Sequence, residues 1–330
     1  MSKPAPYRTK MTEKIIVGTL TLIALFFNLY PEGLDYIGVP KEKNFIWSII
    51  FRVIFIIGFL RVIFPLFLRL LGLHRHYSIK HFDFKGKKAL IITSSAREHS
   101  GTNKKTGVWT SELTSPYFAF LDSGIEVDIA SIKGGEIPLE PVSTWWLFRS
   151  NEDERFLYDG ELQKKIKTSL KIDDLDFTDY DLLFLSGGWG AAYDLGFSDI
   201  LGEKISKAYQ SDKIIGAVCH GPLGLLKAKK EDGSPLLENL KVTGVTDKQL
   251  KELGIDMFPL TGINVIKKTP HHPEREMKKA GALFESKKGL RDYLATHVVR
   301  DKNIVTGQNQ NSGNETAEKM MSILEEKVKS

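Results

Sequence analysis

Two patterns of apolar and polar positions divide the chain. Residues 15 to 30 form an apolar run with no charged side chain, preceded by Lys3, Arg8, Lys10 and Lys14. A second apolar stretch runs from Phe45 to Leu73 and carries charge only at Arg52, Arg61 and Arg69. From about Phe82 the pattern changes to short apolar runs alternating with amphipathic ones. Apolar runs at 88–93, 126–131 and 181–186, and a fourth leading into Cys219, predict strands. Between and after them, 111–123, 200–210 and 314–328 predict helices. Near the end, 296–299 and 303–306 flank Arg300-Asp301-Lys302 and predict a hairpin or tight connection. Strands alternating with helices predict an α/β domain with a mostly parallel, doubly wound sheet flanked by helices, whose sites lie at the carboxyl ends of the strands.

The two amino-terminal runs predict a membrane-anchoring segment over residues 1–80, followed by a catalytic domain over 81–330. The first span covers about 15–30, with Tyr30 and the basic flank suited to the interface. The second covers about 51–71, which leaves Arg52 and Arg69 near the two interfaces and Arg61 snorkelling or paired, because a central arginine is costly in lipid. A cleaved signal peptide competes for the first run, although no A-x-A-like site follows it. An amphipathic helix lying on the membrane competes for the second. If both insert, they form a helical hairpin around the loop from Pro31 to Asn44. Basic residues at both outer ends then place the amino terminus and the carboxy-terminal domain in the cytoplasm.

The net charge of +5 refines this picture only slightly. Much of the basic excess lies in the first 80 residues, which suits membrane flanks, and no interleaving of basic and aromatic residues suggests a nucleic-acid partner. Cys219 is the one cysteine, so no intramolecular disulfide can form, which fits a reducing compartment.

That cysteine also carries the candidate chemistry. It stands in Ile214-Ile215-Gly216-Ala217-Val218-Cys219-His220-Gly221-Pro222, where a strand turns sharply. The small-x-nucleophile-x-Gly pattern Ala217-x-Cys219-x-Gly221 is the way an α/β fold lifts a nucleophile above its sheet. A helix expected from about Pro222 would aim its unpaired N–H groups at the sulfur and favour the thiolate. The adjacent His220 could exchange protons with it. A buried structural cysteine is the competing account, but packing alone would not need the His-Gly-Pro turn. The cluster His271-His272-Pro273-Glu274 invites a metal reading. Adjacent histidines followed by proline lack the helical spacing of a zinc motif, so the segment is read as a loop-to-helix boundary and no metal is expected.

Several segments together resemble the ThiJ/PfpI superfamily, whose fold is flavodoxin-like and related to class I glutamine amidotransferase domains. They are Thr106-Gly107-Val108-Trp109-Thr110-Ser111-Glu112, Val127 to Gly135 with Pro138 and Pro141, Leu185-Ser186-Gly187-Gly188-Trp189-Gly190, Ala217 to Pro222, and Val305-Thr306-Gly307-Gln308-Asn309. The similarity covers roughly Lys87 to Glu325 and is strongest to the larger members described as chaperone-like proteins and glutathione-independent glyoxalases. It implies Cys219 as nucleophile, His220 as neighbouring acid/base and Glu112 as the buried glutamate beside the sulfur. Gly188 and Trp189 fall where the family places oxyanion-hole N–H groups. Larger members often have His where this chain has Trp189, a change that removes a titratable group from the pocket rim. The third member of the family's triad, an acid that orients the histidine, has two candidates here, Asp247 and Glu252. Each is also readable as a surface or helix-capping acid.

The resemblance implies an enzyme acting on small reactive aldehydes, of the methylglyoxal-to-lactate type, with no external cofactor. Amide hydrolysis, peptidase-like or glutaminase-like, is a second reading. A non-enzymatic holdase or oxidative sensor centred on Cys219 is a third. Relatives of this fold commonly dimerise, so a homodimer is a possible assembly.

Overall fold

The computed structural model describes residues 6–74, 77–100, 103–254, 272–289 and 291–329. Lys3 and His271, both named above, lie outside the described residues. The chain divides into two compact units, one of Met1–Leu71 with Trp146–Phe148 and the other of Gly72–Trp145 with Arg149–Ser330.

The first unit is built on two helices, α1 (Pro6–Leu29) and α2 (Asn44–Leu70). A π-helical turn at Phe59–Ile63 interrupts the α-helical ladder of α2. The two helices meet through small residues: Thr21 and Ala24 on α1 and Gly58 on α2 are buried. A Cβ at Gly58 would collide with the Thr21 side chain, so the backbones approach as closely as they do because position 58 has no side chain. Stacking of Phe27 on Phe51, with centroids 4.8 Å apart, extends the contact. Away from this seam the surface is apolar and exposed, as at Leu22 (64%), Phe45 (76%) and Leu70 (81%).

The second unit carries a seven-stranded sheet. Its strands are β1 (Lys88–Thr93), β2 (Glu126–Ser131), β3 (Leu170–Lys171), β4 (Leu182–Leu185), β5 (Ile214–Val218), β8 (Val298–Asp301) and β9 (Ile304–Gly307). They lie side by side in the order β3-β2-β1-β4-β5-β9-β8. All neighbours are parallel except β8 and β9, which form an antiparallel hairpin. Lys302 makes its turn in the left-handed region at φ 53°. The short strands β6 (Lys241–Val242) and β7 (Leu283–Phe284) form a separate parallel pair.

Alternation along each strand gives the sheet two apolar faces, because successive side chains point to opposite sides. Ala89, Ile91, Val127, Ile129 and Phe184 join one core cluster. It is closed by helices α3 (Thr110–Asp122), α4 (Gly160–Lys167) and α8 (Gly313–Lys329) through residues such as Leu113, Leu162 and Met320. Leu90, Ile92, Leu183 and Leu185 join the other. There α5 (Asp199–Gln210) contributes Leu201 and Ile205, and α7 (Pro273–Lys279) contributes Met277. Between them in sequence, α6 (Asp247–Gly254) precedes the undescribed segment. With helices on both faces, the sheet is doubly wound, and connections leave β1 and β4 toward opposite sides. Such a switch point opens a crevice at the carboxyl ends of the strands.

The expected strands at 88–93 and 126–131 are found at those positions, and the helices expected at 111–123, 200–210 and 314–328 are found within one residue. One expectation is corrected. After Cys219 the chain forms only a five-residue 3-10 segment, Gly221–Leu225, with Pro222 in its first turn. The full helical dipole expected at the sulfur is therefore not there.

Candidate active site

Cys219 sits at the end of β5, in the left-handed region at φ 60°. A non-glycine residue takes that conformation only where its surroundings enforce it. Here the enforcement is explicit. The Cys219 N–H donates to Gly307 O (3.0 Å), and its carbonyl accepts from Val245 N–H (3.0 Å). Gly221 passes so close to the end of β4 that a Cβ there would lie 2.1 Å from Leu185 O. The turn is thus clamped by β4 on one side and β9 on the other, and Cys219 is held buried at the carboxyl end of β5.

Glu112 reaches the same point from the first turn of α3. It is 1% exposed, and its carboxyl lies against the Cys219 thiol and the N–H groups of Gly187 and Gly188. Burial pushes its pKa up to about 8, and those three donors only partly offset the effect. Oε2 has no hydrogen-bond partner among the described residues. Gly187 fixes the approach, since a Cβ there would stand 2.4 Å from Glu112 Oε2, 2.5 Å from Val218 O and 2.7 Å from His220 N. Ser186 Oγ donates to the Glu112 carbonyl (2.9 Å) and ties the helix start to the β4 turn.

Burial also pushes the Cys219 thiol up, and a charged Glu112 would push it further, while the N–H groups of Gly188 and His220 favour the thiolate. Two buried acids this close do not both ionise. The proton held by Glu112 removes its charge repulsion on the sulfur. In place of the expected helix dipole, the groups that favour the thiolate are the backbone N–H groups of Gly188 and His220, and they offset the burial only in part.

His220 follows the nucleophile with Nδ1 3.4 Å from Sγ. Its ring is tilted against the Trp189 indole with centroids 5.0 Å apart, and Nε2 has no hydrogen-bond partner among the described residues. Burial, then the charges of His272 and His99, push its pKa down to about 3. It is a neutral imidazole at physiological pH. Of the two residues expected to supply oxyanion donors, Gly188 brings its N–H to the sulfur. Trp189 contributes its ring to His220, and the second N–H at the sulfur is that of His220 itself.

Neither candidate triad acid hydrogen-bonds His220 among the described residues. Asp247 Oδ1 is 3.4 Å from His272 Nδ1, and its Oδ2 accepts from Arg275 Nε (2.5 Å). Glu252 accepts from Tyr293 N–H (3.3 Å) and lies 3.7 Å from Lys248 Nζ. His272 caps α7 with Pro273 at its first position, as the loop-to-helix reading expected. Sequence reasoning gave no role in the site to His272 or to His99, whose Nδ1 lies 2.9 Å from Tyr193 Oη. The paired histidines at 271–272 were a signal for the first, and nothing distinguished the second. No cluster of three metal-ligating side chains occurs among the described residues.

A cysteine on a strained strand-to-turn junction, a buried protonated glutamate against it and backbone donors at the sulfur define a nucleophilic site on a doubly wound sheet. The chain belongs to the DJ-1/PfpI family, whose profile matches residues 105–257. It is 30% identical over 243 residues to "Glyoxalase 3" of Candida albicans, covering 72% of this chain and 98% of that one. It is 29% identical over 244 residues to "Glutathione-independent glyoxalase HSP31" of Saccharomyces cerevisiae, with 72% and 98% covered. Among solved structures, the Rapid Encystment Protein 24 KDa of Francisella tularensis superposes with a TM-score of 0.64 at 30% identity, covering 72% of this chain and 98% of that one.

Proposed function

We propose that this chain is a membrane-anchored cysteine enzyme that converts small 2-oxoaldehydes such as methylglyoxal to 2-hydroxy acids without glutathione. The observation that carries the reading is the buried Glu112 carboxyl, raised to about 8 beside the Cys219 thiol. A group that holds a proton at neutral pH, and can release it to a substrate, is what the required hydrogen shift needs. The names of the relatives above support the substrate class.

In this mechanism the Cys219 thiolate adds to the aldehyde carbon, and the carbonyl oxygen becomes an alkoxide stabilised by the N–H groups at Gly188 and His220. Protonation of that oxygen gives a hemithioacetal. Glu112, having given up its proton, removes the hydrogen from the former aldehyde carbon and returns it to the neighbouring carbon. The product is a thioester of the 2-hydroxy acid. Water cleaves it, releasing the acid and the thiol, so that methylglyoxal plus water gives lactate. Everything in the sequence of steps is supplied by side chains, backbone and solvent.

The anchor is the second half of the proposal. Helix α2 runs 27 residues, and its most apolar stretch has a mean hydropathy of 2.4 and is only 6% buried; the helix is about 40 Å long at 1.5 Å per residue. That length exceeds the roughly 30 Å hydrocarbon thickness of a bilayer. The apolar run of α1, Ile15–Leu29, is shorter, and its close seam with α2 favours a hairpin. Basic residues at the outer ends would put both termini on the cytoplasmic side.

The test is lactate formation from methylglyoxal by the full chain in detergent, free of glutathione, beside Cys219→Ala and Glu112→Gln. Turnover in the parent, abolished in both variants, is expected. A folded, reduced parent that makes no lactate would sink the aldehyde reading.

A further inference from the structure

Outside the apolar helices, two of the chain's five tryptophans are exposed. Trp109 and Trp189 are buried at the site, at 8% and 9% exposure, and Trp47 belongs to α2. The remaining pair, Trp145 and Trp146, are adjacent in sequence and exposed by 46% and 39%. Leu147 and Phe148 follow them and are only partly buried. Four consecutive large apolar residues at the surface cost solubility unless something covers them.

The loop that presents them is built rather than loose. On its near side the 3-10 turn Pro141–Thr144 is pinned by Thr144 Oγ1 donating to Pro141 O (2.7 Å) and Ser143 Oγ donating to Glu140 O (2.7 Å). Arg149 Nε donates back across the loop base to Thr144 O (2.7 Å), and its guanidinium lies 3.6 Å from Glu154. On the far side, Ser150 and Asp153 cap the next helix reciprocally, at 3.0 Å and 2.9 Å. Residues 145–148 therefore project from a closed base with an arginine at its edge. Ser143 also accepts from the Thr110 N–H (3.1 Å) at the start of α3, the helix that carries Glu112.

We infer that Trp145-Trp146-Leu147-Phe148 is a second membrane contact, seated at the polar–apolar boundary of the same bilayer that α1 and α2 enter; this rests on the anchoring proposed above. Indole rings favour that boundary because their apolar body and N–H donor suit its two sides. An arginine at the loop base suits the phosphate level. Trp146–Phe148 also falls in the same compact unit as the two apolar helices.

The experiment uses the full chain reconstituted in phosphatidylcholine vesicles, with or without lipids brominated high on the acyl chain, which quench nearby indoles. In Trp47→Phe, Trp145 and Trp146 are the exposed tryptophans, and their emission should fall on bromination. The further substitutions Trp145→Phe and Trp146→Phe should abolish that quenching. A control that keeps Trp47 and carries Trp145→Phe and Trp146→Phe reports insertion of the hairpin by itself. Quenched Trp47 with no bromine dependence in the Trp47→Phe protein overturns the loop contact and leaves the anchor standing. The same is true if Trp145 and Trp146 are blue-shifted but insensitive to bromine, since protein then covers them. Unquenched Trp47 as well would remove the anchor and the inference with it.

Discussion

Asp247 faces His272, not His220, at 3.4 Å between Oδ1 and Nδ1. One of the two acids that sequence offered as the triad member thus stands against a different imidazole, and also holds Arg275. An orienting acid lost from a working triad costs about 10⁴-fold in kcat, because the histidine adopts the wrong tautomer. Asp247→Asn is expected to change kcat/KM for methylglyoxal by less than about tenfold, a scale suited to a group that does not contact the base. A loss of three orders of magnitude with unchanged thermal stability would show that Asp247 acts on His220 during turnover.

The charge state of Glu112 makes a prediction in pH. With its pKa raised by burial from the usual carboxylate range to about 8, Glu112 is neutral in the folded protein and acidic when unfolded. Stability from this group is complete below about pH 4.5 and is lost as pH rises from there through about 8, at roughly 1.4 kcal/mol for each pH unit crossed. Glu112→Gln keeps a neutral amide in the same space and removes the ionisation. Its unfolding midpoint in denaturant should fall less between pH 6 and 9 than that of the parent. Identical pH slopes for the two proteins would mean that Glu112 is already charged at neutral pH.

How far the sequence reached depended on which physical quantity was local. The strands around Ile91, Ile129 and Phe184 are short apolar runs, and the pattern alone places them. The two-residue strands β3, β6 and β7 carry no period to detect. Cys219 and His220 were legible because turn chemistry is written in consecutive residues, whereas Glu112, and the proton its burial would hold, came only through the resemblance to the ThiJ/PfpI superfamily. The charge state of the sulfur was not legible. The sequence suggests a thiolate favoured by a helix, whereas the structure gives a 3-10 turn and a buried pair in which the carboxyl keeps the proton. Burial is a property of the assembled fold. Likewise, nothing in Asp247 or His272 announces that α6 and α7 bring them together.

Gly187 tests the packing of the site. Its missing Cβ leaves room for Glu112 Oε2, Val218 O and His220 N, all within 2.7 Å of where that atom would stand. Two of those neighbours are backbone and cannot swing away. Gly187→Ala should therefore displace the β4 turn from the nucleophile, destabilising the domain by about 1–3 kcal/mol and abolishing lactate formation. A variant with parental activity and parental melting temperature would show that the turn relaxes freely, and would remove the argument that Gly187 sets the Glu112–Cys219 approach.

Gly58 makes the corresponding prediction for the first unit. The Thr21 side chain occupies the position a Cβ at residue 58 would need, and Thr21 Oγ1 is turned back to Val17 O (2.7 Å) so that its hydroxyl is satisfied within its own helix. The seam between α1 and α2 then brings the Thr21 side chain and Ala24 against bare backbone at Gly58, with Phe27 stacked on Phe51 beside them. Gly58→Leu should force the helices apart, while Thr21→Ser, which removes one methyl, should cost less than about 1 kcal/mol. Cysteines introduced at Ala24 and at residues across the seam, in a Cys219→Ala background, would report this as a lost disulfide cross-link in the Gly58→Leu protein and a retained one with Thr21→Ser. Equal cross-linking in both would mean that the hairpin is held by its loop and not by the seam.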